Sequence, residues 1–107
     1  MNRKRSKKEL QNLRKLVAIA YERELTAAAE NLLQQFQSWK NSEIDVFELG
    51  GRIHEFHNGI SRTLYNHDSV IDPAFGVALA LSRDILSREE VGEEVFLSVE
   101  GIVTTLR

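Results

Sequence analysis

Apolar residues recur at helical spacing along most of this chain, and few runs favour strand. From Ser6 onward they fall at Leu10, Leu13, Val17, Tyr21, Leu25, Ala28, Leu32, Phe36 and Trp39, with no proline or glycine between them. Ser6-Lys7-Lys8-Glu9 has the form of a capping box, in which serine and glutamate satisfy each other's free amides. The spacing predicts one long helix over about 6–39. Leu10, Tyr21 and Leu32 stand eleven apart, as do Val17, Ala28 and Trp39, a repeat that suits a nearly straight helix and not a heptad seam.

Lys40-Asn41-Ser42 makes a polar turn, and Asp45 opens a second helix with a capping box to Glu48 and Ile44 placed to staple onto Leu49. Val46, Leu49, Ile53 and Phe56 form its apolar face, continued by Ile60. Asn58-Gly59 is expected to close it through a left-handed residue. A short helix over about 60–66, carrying Leu64 and Tyr65, follows as a separate or a continuous element. Asp72-Pro73 opens a further helix, apolar on a wide arc through Phe75, Val77, Ala78, Leu81, Ile85 and Leu86, and thus the most buried. Ser87-Arg88-Glu89-Glu90 caps a last helix that runs to about Leu106, with Val95, Val99, Ile102, Val103 and Leu106 facing inward.

These elements predict a single all-α domain over 1–107: a four- or five-helix bundle, with shorter helices packed along the first and a flexible basic arm over residues 1–8. A first helix of this length would reach about 50 Å, whereas a compact domain of this size has a radius of gyration of about 13 Å. Its apolar face persists along nearly all of that length. A homodimer through the long helix is the expected way to cover it.

Composition narrows the chemistry. The 107 residues are 42% apolar and 28% charged, ordinary for a globular protein. There is no cysteine, which excludes disulfides, thiolate metal sites and cysteine nucleophiles. No apolar run approaches the ~20 residues of a spanning helix, so a cytoplasmic location away from membranes is expected. The net charge of −2 conceals a division: residues 1–15 carry +6 and the remainder −8. Positive charge at a helix N-terminus opposes the macrodipole, so local stability does not account for it. Arg3, Lys4, Lys7, Lys8, Arg14 and Lys15 are candidate contacts for an anion or nucleic acid, weak and non-specific because no element is equipped to read bases.

The most distinctive residues gather around the second helix: Arg52, His54, Glu55, His57, Asn58 and Arg62. The stretch Asp45-Val46-Phe47-Glu48-Leu49, Ile53-His54-Glu55-Phe56-His57-Asn58-Gly59 and Arg62-Thr63-Leu64-Tyr65 resembles a family of short bacterial helical proteins of unknown function. Those relatives have a polar residue where Gly50 stands and proline where Ile60 stands, and the resemblance implies no activity, ligand or catalytic residue. His54 and His57 could supply half of a zinc site, with Glu55, His67 or Asp68 as third ligand, but no zinc motif is present. The polar cluster is expected to be structural or partner-binding, with no metal, no cofactor and no catalytic residue. Ser61 beside His57 lacks the strained turn of a reactive serine, and Gly50-Gly51 lacks the rest of a phosphate-binding loop. Close packing against Ala27-Ala28-Ala29 is the favoured reason for those glycines, ahead of a hinge. The leading functional expectation is a non-enzymatic interaction or regulatory module working through helix contacts with itself or another protein. A nucleic-acid-associated protein is the alternative, and a small metal-dependent enzyme around His54 and His57 stands third.

Overall fold

A computed structural model describes residues 5–59 and 72–106. These form five helices: α1 Lys7–Lys40, α2 Val46–Asn58, α3 Pro73–Ser82, the single turn α4 Arg88–Val91, and α5 Glu93–Leu106. The fold is all-α, with the long first helix in contact with shorter ones, as the periodicity predicts. The helix expected over about 60–66 lies outside the described residues.

Capping chemistry sets the boundaries. The Glu9 amide donates to the Ser6 hydroxyl at 3.1 Å and the Ser6 amide to the Glu9 carboxylate at 3.3 Å, completing the predicted box. Asp45 accepts from the Glu48 amide at 2.8 Å, but the reciprocal half of its predicted box is not made, and Asp72 accepts from the Ala74 amide at 3.1 Å ahead of Pro73. The expected left-handed closure of α2 is corrected. Gly59 has φ −88° and ψ −111°, and its amide donates to the Glu55 carbonyl at 2.8 Å. A Cβ there would lie 2.6 Å from that same oxygen, so a backbone contact and not handedness requires glycine. The last helix is also corrected: it is divided, and Leu106 at its end, expected to face inward, is exposed. Ser87 and Glu90 form their box, but the single turn α4 ends at Gly92, whose φ of +88° and ψ of 152° fall in a region essentially reserved for glycine.

The core lies at one end. Leu13, Leu16 and Ala20 of α1 meet Ala74, Val77, Ala78, Ala80 and Leu81 of α3, joined by Leu86, Val91, Val99 and Val103. Helix α3 is wedged between α1 and α5 and is buried on nearly every side, as its wide apolar arc predicts. Beyond Ala20 no residue of α1 is fully buried, and its second half runs out beside α2 as a helical hairpin whose one buried residue on α2 is Leu49. The molecule is accordingly elongated, 57 × 24 × 24 Å with a radius of gyration of 17.1 Å, against about 13 Å for a compact chain of this length.

Candidate functional site

The hairpin of α1 and α2 has two unlike flanks. Leu49 is buried and Phe56 half-buried, which sets the direction in which α2 faces α1. At about 100° per residue, Glu48, Arg52 and Glu55 fall to one side of that direction. Here Ala28, Asn31 and Leu32 of α1 and Arg52, Glu55 and Phe56 of α2 line a groove of about 240 Å³. To the other side fall Val46, Gly50, Ile53 and His57. Tracing α1 in the same way brings Leu25, Ala29, Leu33 and Phe36 to that same flank, because the two helices run antiparallel. This flank is apolar and uncovered: Leu33 is 58% exposed, Val46 55%, Ile53 40% and Phe36 38%. Phe47, 87% exposed, stands at its edge near the turn.

The five described residues of the predicted polar cluster, Arg52, His54, Glu55, His57 and Asn58, are not gathered at one point. Arg52 lies between Glu48 at 3.8 Å and Glu55 at 3.9 Å on the groove flank, contacts worth a few tenths of a kcal/mol each on an exposed helix. His54 is on the outer surface, where the Asn58 side-chain amide donates to its ring at 2.9 Å. His57 is exposed on the apolar flank. Among the described residues no three metal-ligating side chains are grouped to share an ion. Arg62, His67 and Asp68 lie outside the described residues.

Gly50 and Gly51 overturn the expectation of close packing. Both are exposed, and among the described residues a Cβ at either would meet nothing within 4 Å. Ala27 and Ala29 are exposed as well. The small residues of the two helices do not meet, because Leu49 and Phe56 hold the contact between them. Gly50 instead leaves bare backbone in the middle of the uncovered flank.

The described part of the basic segment begins at Arg5. Arg5 donates to the Ser98 hydroxyl at 3.1 Å and its carbonyl at 3.3 Å, fastening the start of α1 to α5. Lys7 and Lys8 belong to the first helical turn and, with Arg14 and Lys15, are exposed; Arg3 and Lys4 lie outside the described residues. The open groove beside them is mixed in sign, since Lys8 and Lys15 share it with Glu9 and Glu94. That mixture weakens the field an anion would feel.

Sequence reasoning missed one tertiary clamp. Arg23 of α1 donates to both oxygens of Glu90 at 2.7 and 2.8 Å and to the Ile85 carbonyl at 2.8 Å. The guanidinium, helped by the Ser87 amide, holds the Glu90 carboxyl down at about 2. Glu90 was legible only as a cap, and its partner lies 67 residues away, where no local pattern reaches. Nearby, burial raises Glu24 above the ordinary carboxylate value, with the Arg83 charge pulling it back. No helix among the described residues is long and apolar enough to cross a membrane. Comparison with known families, characterised proteins and solved structures yields no match.

Proposed function

We propose that the protein is a non-enzymatic interaction module that engages protein through the apolar flank of the α1–α2 hairpin. The observation that carries this reading is the placement of Leu33, Phe36, Val46 and Ile53 together on one uncovered side, remote from a core that needs none of them. Keeping such side chains in water forgoes roughly 25 cal/mol per Å² of burial, and contiguous exposed patches characteristically mark contact surfaces. The groove flank, with its Arg52 ion pairs, stays solvated.

Site-specific photo-crosslinking in the cells that make the protein tests this reading. A photoreactive residue at Val46 or Ile53 is expected to capture protein, and one at Glu48 or Glu55 to capture far less. Equal capture from both flanks, or none from the apolar one, would overturn the assignment.

A further inference from the structure

We infer that the occupant of this flank is a second copy of the chain, paired antiparallel across a two-fold axis to build an intermolecular four-helix bundle. The inference rests on the interaction reading above and identifies its partner.

Helix α1 carries the complementarity needed to meet itself. Glu22 and Lys40 are eighteen residues apart, which is five whole turns, so they lie on one side of α1 at the two ends of the apolar stripe. Neither forms an ion pair among the described residues. Antiparallel pairing of two α1 helices about a point near Asn31 sets Glu22 of one copy against Lys40 of the other, twice by symmetry. The same register places Ala29 against Leu33, a small residue against a large one, and Leu25 beside Phe36. Parallel pairing would instead stack Glu22 on Glu22 and Lys40 on Lys40.

Helix α2 agrees with that axis without adjustment. Ala28, Asn31 and Leu32 share a groove with Arg52, Glu55 and Phe56, so Asn31 is level with Ile53 across the hairpin. A two-fold axis near Asn31 therefore passes near Ile53 and packs that side chain on its own symmetry mate. Gly50 then comes opposite His57 of the second copy. The absence of a side chain at Gly50, which no described residue packs against, becomes the space into which an imidazole fits. A closed two-fold assembly is also the commonest form for a self-complementary surface.

The area is sufficient. Leu33, Phe36, Val46 and Ile53, at their observed exposures, present on the order of 350 Å² of apolar surface per copy, which matches the apolar share of each partner in an interface burying about 1,200 Å² in total.

The full chain in light scattering after size exclusion, at micromolar concentration, is expected to show twice its 12.2 kDa mass. Glu22→Lys and Lys40→Glu should each weaken the dimer roughly tenfold, since each acts twice, and the double variant should recover it. Ile53→Cys, in a chain with no other cysteine, should form a disulfide-linked dimer under mild oxidation, whereas Glu48→Cys should not. All these positions are exposed, and circular dichroism checks that the variants remain folded. A monomer at every concentration would sink the second copy; crosslinks from Val46 and Ile53 to other proteins would then still uphold the interaction reading. A dimer that survives Leu33→Glu, or charge variants without rescue, would also overturn the proposed pairing.

Discussion

Ser42 and Asp84 hold left-handed backbone, with φ of 63° and 59°, although neither is glycine. Each follows the cap of a helix and lets two amides return to it. Glu43 donates to the Ser38 carbonyl at 2.8 Å and Ser42 to Trp39 at 3.0 Å; Ile85 donates to Ala80 at 2.9 Å and Asp84 to Leu81 at 3.2 Å. The terminal hydrogen bonds thus outweigh a backbone cost of about 1–2 kcal/mol. Replacing Ser42 by glycine removes that cost and should stabilise the fold by about 0.5–1 kcal/mol, seen as a higher midpoint in thermal unfolding. Gly92 is the converse. No described residue crowds a Cβ there, but its φ of +88° with ψ of 152° disfavours any side chain. Gly92→Ala should cost about 1–3 kcal/mol in urea titration, a loss arising from backbone conformation alone.

At the level of elements, one surface contact joins α1 to the cap of α4. The Arg23–Glu90 pair is bidentate, and the same guanidinium satisfies the Ile85 carbonyl. Because the Glu90 carboxyl is held down at about 2 from an ordinary 4.5, its contribution is present above the ordinary value. It is lost as pH falls from there towards 2. Glu90→Gln should therefore lower stability at neutral pH and flatten this part of the acid limb, measured by denaturation at a series of pH values. Arg23→Lys should keep the charge but lose the fork, and so reproduce most of the effect. Arg88 makes a similar fork to Glu93, its closer bond 2.6 Å, and lies 4.2 Å over the Phe96 ring, bracing the break at Gly92 from the solvent side.

Across the whole molecule, stability and contact surface are separated along α1. Its first half supplies Leu13, 2% exposed, to the core, and its second half presents Leu33, 58% exposed, to solvent. The two leucines share a helix and a chemistry but not a role. Leu13→Ala should cost about 2–5 kcal/mol, whereas Leu33→Ala should change the stability of the unpaired chain by less than about 0.5 kcal/mol. Urea unfolding in dilute solution distinguishes them, and the same Leu33 change should weaken self-association. The 57 Å length of the molecule follows from this division: the core occupies one end of a helix that continues beyond it.

Most helix starts are legible in the amino-acid sequence, because capping is local: Ser6 with Glu9, Asp45, Asp72 with Pro73, and Ser87 with Glu90 each act within three residues. The sequence likewise determined the burial of α3 and the length of α1, since uninterrupted periodicity needs no knowledge of neighbours. It also showed the mismatch between that length and a compact domain. Contacts between distant segments were needed to bring Arg23 to Glu90, 67 residues away, and to turn Leu49 and Phe56 of α2 towards α1. Only the tertiary structure placed the core at one end, leaving Leu33, Phe36, Val46 and Ile53 uncovered. A helical repeat states which residues can share a face, but whether another helix covers it depends on contacts between distant segments, which spacing along the chain does not encode.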